Sequence, residues 1–117
     1  MKSITDIALD QKSHTLTLSF NEGANIDMSC EYLRVYSPSA EVRGHGAGQE
    51  VLQLDKETVN IMAIESVGNY AVRLVFSDGH ETGLYTWSYL LELAEKKQSN
   101  WQDYLTRLEQ AGHQRNA

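Results

Sequence analysis

Two short stretches of this chain concentrate the side chains that can do chemistry. The first, residues 37–48, carries two serines, a carboxylate, a guanidinium, an imidazole and three glycines. Glycine lets backbone N–H groups approach a ligand, and Arg43 can offer two parallel donors to a carboxylate or phosphate. The stretch is not a phosphate loop, because no Lys-Ser/Thr pair follows its last glycine. It predicts either an anion-binding loop or a polar connection that uses glycine for flexibility.

The second stretch is Asp78-Gly79-His80. A carboxylate and an imidazole held side by side can bind a metal ion or move a proton. Asp-Gly is also a strong hairpin-turn dipeptide, and a histidine often begins the following strand. Both interpretations, a functional pair and a structural turn, stay open from the sequence.

These residues include types that bind metals, but their spacing in the sequence does not support a metal centre. His45 and His80 with Asp78 or Glu41 provide the residue types of a non-haem iron triad. Tetrahedral zinc requires four Cys or His ligands, whereas Cys30 is the only cysteine and the four histidines are scattered. The residues themselves therefore predict no metal centre and no cofactor.

A hydrolytic triad is equally incomplete. Ser37 or Ser39 could be combined with one of the loop or turn histidines and Asp78. A Gly-x-Ser-x-Gly nucleophile elbow does not accompany either serine. We therefore expect no catalytic residue in this chain.

Length and composition are those of one globular domain, residues 1–117. Apolar residues make up 41% of the chain and charged residues 22%. Ten basic against sixteen acidic residues give a net charge of −6, which disfavours nucleic acid as a partner. The apolar runs are too short for a membrane span, and the N-terminus has no signal-peptide pattern. With a single cysteine as well, we expect a cytoplasmic protein that does not engage membranes.

Alternating apolar and polar residues predict strands over most of the first 85 residues. Two strands and a short third precede a helix near residues 29–35, with Ser29 as N-cap. A long loop follows over residues 36–49 because apolar residues are almost absent there. Further strands are expected at 51–54, 59–67, 70–76 and 82–85, with turns at Gly68-Asn69 and Asp78-Gly79. The 59–67 strand is apolar on both faces, which predicts a central, covered strand.

After these strands, the spacing of the apolar residues changes to that of two amphipathic helices. Apolar stripes at i, i+3, i+4 and i+7 begin at Trp87 and again at Trp101, so both tryptophans are expected in the core. Thr86 caps the first helix, a Ser99-x-x-Gln102 capping box begins the second, and Gly112 ends it. We predict an α+β fold, with an antiparallel sheet of about five to six strands, two C-terminal helices packed on one face, and the short helix near 29–35.

Several motifs in order resemble one known family. They are Leu33-Arg34, the loop of residues 37–46, and the segments 67–72, 76–80 and 83–87. Together they resemble the gamma-butyrobetaine hydroxylase-like N-terminal domain family in its short, stand-alone bacterial form. The likeness extends from about Ile4 to Gly112.

The resemblance implies a structural zinc held by three cysteines and one histidine in the family's oxygenases. The matching positions here are Ser37, Ser39, about Val42, and His80. Three ligands are therefore replaced by residues that cannot bind zinc as a thiolate does, and we expect no tetrahedral zinc although His80 is retained. The oxygenases also carry a separate iron- and 2-oxoglutarate-dependent barrel. Without that barrel, hydroxylase activity is not expected.

These observations lead to two hypotheses. The first is a noncatalytic binding or adaptor module whose glycine-rich loop and Asp-Gly-His turn form one surface for a protein partner or a small acidic ligand. The second, suggested by similar domains in ATPases of iron–sulfur cluster assembly, is a metal-binding accessory protein built on His45, His80 and a carboxylate. The residues expected at the surface are Arg34, Ser37, Ser39, Glu41, Arg43, His45, Asp78 and His80.

Overall fold

Strands dominate the first two thirds of the chain and helices the last third. The computed structural model describes residues 3–44 and 50–115. The strands over these residues are β1 (Ile4–Asp10), β2 (Thr15–Phe20), β3 (Asn25–Ser29), β4 (Ile61–Val67), β5 (Ala71–Phe76) and β6 (Leu84–Thr86). The helices are α1 (Cys30–Val35), α2 (Ala40–Arg43), α3 (Trp87–Glu95) and α4 (Lys97–Gln110).

The N-terminal sheet has β2 in the centre, antiparallel to β1 and β3. Its alternation is the predicted one, since Leu16, Leu18 and Phe20 are buried while the residues between them are partly exposed. Leu16 pairs with Met28 across β3 and with Leu9 across β1. The period of two therefore positions one apolar face toward the core.

The second sheet has the order β4-β5-β6, all antiparallel. The turns predicted at Gly68-Asn69 and Asp78-Gly79 are found, and both glycines have positive φ, +55° and +89°. The prediction of a central 59–67 strand is wrong. The strand begins at Ile61 and lies at the edge of its sheet, where Met62 is 57% exposed. The last strand is Leu84–Thr86, displaced from the expected 82–85.

The prediction of a single five- to six-stranded sheet is also wrong, because the described strands form two three-stranded sheets. Helix α1 follows β3 directly, with Ser29 Oγ accepting from the Tyr32 amide, and leads the chain away from the first sheet. The expected strand at 51–54 is irregular. A buried cluster nevertheless includes residues from both sheets, α1 and α3, so the sheets share one core.

The two C-terminal helices do not share one face of a sheet. In α3, Leu90, Leu93 and Ala94 enter the main core, whereas Tyr104 and Leu108 of α4 form a smaller cluster with α1. The tryptophans at 87 and 101 are partly buried against the main core. None of the helices in the described part of the chain is long and apolar enough to span a bilayer.

The helix ends were predicted with mixed success. Thr86 caps α3 by accepting from the Tyr89 amide, as predicted. The capping box at Ser99 is wrong, because α4 begins at Lys97 and Ser99 Oγ instead donates to the Lys96 carbonyl. Gly112, with φ +72°, follows the end of α4 as predicted.

Candidate functional site

The segment after α1 packs against the turn between β5 and β6, and we call this region the junction. It comprises Arg34, Ser37, Glu41, Asp78 and His80. The hairpin closes through a Phe76 N–H to His80 carbonyl bond of 2.9 Å and a Gly79 N–H to Phe76 carbonyl bond of 3.1 Å. The tight turn thereby holds the Asp78 and His80 side chains beside the end of α1.

At the centre of the junction, Ser37 Oγ lies 2.8 Å from His80 Nε2. Both residues are buried, Ser37 completely. The Ser39 amide also donates to Ser37 Oγ at 3.3 Å, and Glu41 Oε2 lies 3.4 Å from His80 Nδ1. Both ring nitrogens of His80 therefore have polar partners.

Serine, histidine and carboxylate here occur in the order of a hydrolytic triad, with Glu41 in place of the Asp78 considered from the sequence. A serine nucleophile must reach a substrate carbonyl. Ser37 has no exposed surface, and a Cβ built at Gly83 would lie only 2.4 Å from its oxygen. This arrangement links the loop to the hairpin and leaves no room for a substrate at the serine.

The second link in the junction is ionic. Arg34 Nε lies 2.9 Å and Lys56 Nζ 2.7 Å from the same Asp78 oxygen, Oδ2. Asp78 Oδ1 accepts from the His80 amide at 3.2 Å, and Arg34 Nη1 donates to Gln53 Oε1 at 3.1 Å. The Arg34 and Asp78 side chains are only 8% and 23% exposed, so this pair is far less solvated than a surface ion pair.

These contacts shift two pKa values downward. Burial alone would raise the pKa of Asp78, but hydrogen bonds from Lys56 and the His80 amide, with the charge of Arg34, lower it to about 2. Burial, reinforced by the Arg34 charge, lowers the pKa of His80 against the opposing effect of Glu41 and Asp78. At neutral pH the junction therefore contains an ionised Asp78 and a neutral His80.

The junction does not suit the zinc that the family resemblance implies. His80 Nε2 is engaged by Ser37, and Val42, which is buried, has no donor atom. Ser39 Oγ is buried without a hydrogen bond to the described residues, yet a serine hydroxyl is a poor zinc ligand. In this chain a serine–histidine hydrogen bond joins the two segments to which the resemblance assigns the zinc ligands.

Beside the junction lies a cleft of 360 Å³ bounded by α2, α3 and α4, which we call the α2–α4 cleft. Arg43 stands at its edge, donating to the Tyr89 hydroxyl at 3.1 Å with its guanidinium 5.9 Å from the centre of that ring. Tyr89 in turn donates to the Tyr36 carbonyl at 2.6 Å. Burial raises the pKa of Tyr89, so the phenol remains protonated.

The cleft is lined by charges of both signs. Its basic groups are Arg43, Lys96 and Arg107, and its acidic groups are Glu50, Glu92 and Asp103. Arg107 Nε is 3.3 Å from the Asp103 carboxylate and its guanidinium lies 5.9 Å from the centre of the Tyr36 ring, so Arg107 forms its ion pair with a carboxylate of its own helix. Arg43 and Lys96 are exposed. These two cations are the ones accessible to a ligand.

The sequence-predicted residues thus divide into three groups. Five of them meet in the junction, and Ser39 donates its amide there. Arg43 instead lines the cleft, and no contact among the described residues joins it to His80. The last four residues of the glycine-rich stretch (45–48), His45 among them, lie outside the described residues.

Sequence reasoning missed the residues that complete both regions. Lys56 and Gln53 enter the junction from the irregular segment before β4, where Gln53 was expected to lie in a short strand. The α4 wall of the cleft had a detectable signal, because Lys96, Asn100, Asp103 and Arg107 recur at helical spacing and form a polar stripe. The apolar stripe of that helix predicts how it packs and does not indicate this polar face.

Comparison with known proteins agrees with this architecture. One solution NMR structure is 51% identical over 98% of this chain and 86% of its own, with a TM-score of 0.81. A second is 47% identical over 99% of this chain and 91% of its own, with a TM-score of 0.84. A crystal structure from Acidithiobacillus ferrooxidans, described as a protein of unknown function in the DUF971 family, is 33% identical over 79% and 92% of the two chains, with a TM-score of 0.65.

A search among curated proteins finds no match. The family model described as gamma-butyrobetaine hydroxylase-like, N-terminal, matches residues 7–91, which include the junction and the N-terminal part of the cleft. The resemblance read from the sequence motifs is confirmed. This chain belongs to the gamma-butyrobetaine hydroxylase-like N-terminal domain family.

Proposed function

We propose that this protein is a noncatalytic binding module whose α2–α4 cleft takes a small acidic ligand or an acidic group of a protein partner. The observation that carries the proposal is the position of Arg43. Its side chain is exposed at the edge of a cleft while the Tyr89 hydroxyl and ring hold it in place. A guanidinium oriented in advance loses less conformational freedom when it binds a carboxylate.

The junction supplies the rigidity that this role requires. Arg43 ends α2, and α2 follows the segment fixed by the Ser37–His80 bond. Glu41 of the same helix contacts both His80 and, at 3.4 Å, the Thr82 hydroxyl. In this proposal the buried polar residues position the loop, and the exposed cations meet the ligand.

The charges of the cleft also suggest which acidic ligands would bind. Arg43 and Lys96 can pair with one or two negative groups, whereas Glu50 and Glu92 at the same cleft would repel further negative charge. The net charge of −6 acts in the same direction at longer range. We therefore propose a ligand with few negative charges and exclude extended polyanions such as nucleic acid.

The proposal can be tested by titrating the protein with succinate and, separately, with inorganic phosphate while recording amide chemical shifts. Shifts are expected at residues of α2, α3 and α4, and Arg43→Ala should weaken binding about tenfold or more, as loss of a charge-assisted bond would. Lys96→Ala should weaken it less. The matched control is Arg73→Ala, which removes a cation paired with Glu65 on the second sheet.

A pulldown comparing wild type with Arg43→Ala covers the case of a protein partner. Equal binding by wild type, Arg43→Ala and Arg73→Ala, in both the titration and the pulldown, would refute the proposal. So would ligand-dependent shifts confined to residues outside the cleft.

The alternative function, a metal-binding accessory role in iron–sulfur assembly or an oxygenase-related pathway, has less support at the predicted residues. His80 uses one ring nitrogen for Ser37 and presents the other to Glu41. Coordination would have to break one of these buried contacts.

A further inference from the structure

A second cluster of side chains lies away from both the junction and the α2–α4 cleft, where the segment before β4 crosses the end of α4. Its members are Asp55, Glu57 and His113. One ligand atom from each, two carboxylate oxygens and one imidazole nitrogen, lie within 4.8 Å of one another. We propose that these three residues form a binding site for a divalent transition-metal ion.

Two of the three donor atoms are buried without hydrogen bonds to the described residues. Glu57 Oε1 and His113 Nε2 are inaccessible to solvent and have no hydrogen-bond partner among the described residues. A buried carboxylate oxygen or imidazole nitrogen in this condition raises the free energy of the folded protein. A metal ion between them would satisfy both atoms at once.

The backbone positions the donors independently of any metal. His113 follows Gly112, whose left-handed conformation allows the His113 N–H to bond the Leu108 carbonyl at 3.0 Å and end α4. On the other side, the Tyr104 hydroxyl donates to the Gln53 carbonyl at 2.7 Å, which joins α4 to the segment carrying the carboxylates. Asp55 Oδ1 already lies 3.4 Å from His113 Nε2.

The neighbouring cations do not occupy the cluster. Lys56, between the two carboxylates in sequence, pairs with Asp78 in the junction. Arg115 lies close enough to interact electrostatically with Glu57, but its guanidinium donates to the buried Glu31 carboxylate at 2.9 Å. Two carboxylates therefore remain to balance the charge of a divalent ion.

The donor set indicates the class of metal. Calcium and magnesium prefer oxygen ligands throughout, and copper(I) prefers sulfur, whereas one imidazole with two carboxylates suits zinc, manganese or iron(II). Three protein ligands also leave coordination positions for water. The ion would connect the 51–60 segment to the C-terminal end of α4.

The test is a calorimetric titration of untagged protein with ZnCl₂ and with MnCl₂, in parallel with Glu57→Gln and His113→Ala. Wild type should bind one ion per chain, and each variant at least tenfold more weakly, since a ligand is lost. Glu95→Gln is the matched control, because it removes one exposed carboxylate of α3 outside the cluster and should bind like wild type. In NMR spectra, zinc should shift the ring signals of His113 and leave those of His14 and His80 unchanged.

Thermal unfolding separates a metal site from a merely structural ion pair. Zinc should raise the Tm of wild type by several degrees and, at the same concentration, raise that of Glu57→Gln less. Without metal, Glu57→Gln should be about as stable as wild type, since the buried Glu57 Oε1 accepts no hydrogen bond from the described residues and the Arg115 guanidinium is bonded to Glu31. Absence of zinc binding at millimolar concentration, or equal affinity in wild type and both ligand variants, would overturn the proposal. The succinate and phosphate titrations are independent of this outcome, because no residue is shared.

Discussion

The junction and the α2–α4 cleft use the same kinds of side chain to opposite effect. In the junction Arg34 is buried and its charge is satisfied by Asp78, whereas in the cleft Arg43 is exposed and rests on a tyrosine. The carboxylates differ likewise, since Asp78 has two cationic partners and Glu50 stands at an open cleft. Polar residues near a glycine-rich loop can therefore hold a fold or meet a ligand, and burial and neighbours distinguish the two.

The largest effect is expected where the junction has no spare space. Gly83→Ala would put a methyl group 2.4 Å from Ser37 Oγ and 3.2 Å from Pro38 Cδ. Ser37 is buried and can move only by giving up its bond to His80, so we expect a loss of about 3 kcal/mol of unfolding free energy. Urea unfolding measures it.

Two comparisons identify the cause of that loss. Gly23→Ala is the control, because its φ of +88° disfavours alanine while nothing lies within 4 Å, and it should cost only about 1 kcal/mol. In a Ser37→Ala background, Gly83→Ala should cost less than in wild type. An undiminished cost in the double variant would show that Ser37 is not the residue displaced.

The next effect concerns the ion pair of the junction. Arg34→Met should lower the unfolding free energy by about 2 kcal/mol, less than for a fully buried pair because Lys56 still contacts Asp78. Arg73→Met is the matched control. Its pair with Glu65, at 2.8 Å, is nearly half exposed on both sides and should contribute much less to stability than the junction pair. Equal losses in the two variants would contradict the distinction between junction and surface.

Local chemistry in the sequence predicted the hairpin turn of the junction and the N-caps of α1 and α3 well. Asp78-Gly79 was recognisable because a hairpin requires positive φ, and Ser29 and Thr86 because a helix start needs an acceptor. The hairpin pairings were predicted, but the division of the strands into two sheets was not, since the apolar pattern of a strand such as β4 does not specify which strands lie beside it. An edge strand with Met62 exposed has the same pattern as a central one.

The site was predicted in its residues more than in its arrangement. The approach of Ser37 to His80 joins positions 43 residues apart, which no local spacing encodes. Helix α2 has only four residues, too few for a periodic signal, yet it points Glu41 toward His80 and Arg43 toward the cleft. The sequence predicted one continuous surface, whereas the described residues form two regions, the junction and the α2–α4 cleft, on either side of this short helix.

A third prediction concerns the pH dependence of the junction. Burial and the Arg34 charge lower the pKa of His80 below its unfolded value of 6.5, while Glu41 and Asp78 oppose this. As pH falls below about 6.5 the unfolded chain takes up a proton that the folded chain does not, so stability decreases until the folded pKa is passed. Urea unfolding at pH 7.5 and 5.5 should show this loss.

His80→Gln provides the comparison for that measurement. Its amide can still bond the Ser37 hydroxyl but does not titrate, so the variant should lose less stability than wild type between pH 7.5 and 5.5. The remaining histidines are common to both proteins and cancel in the difference. Parallel pH profiles would mean that His80 titrates alike in the folded and unfolded chains.

The smallest effect on stability is expected at the cleft. Arg43→Ala removes an exposed hydrogen bond to Tyr89 and a cation–ring contact at 5.9 Å, which together should contribute about 0.5 kcal/mol or less. The same variant is expected to show the largest loss of succinate binding. Gly83→Ala should instead lose much stability and, under conditions where it remains folded, little succinate affinity. Substitution of a residue that binds the ligand should change stability little and affinity strongly. If Arg43→Ala instead destabilised the protein as much as Arg34→Met, Arg43 would belong with the residues that hold the fold.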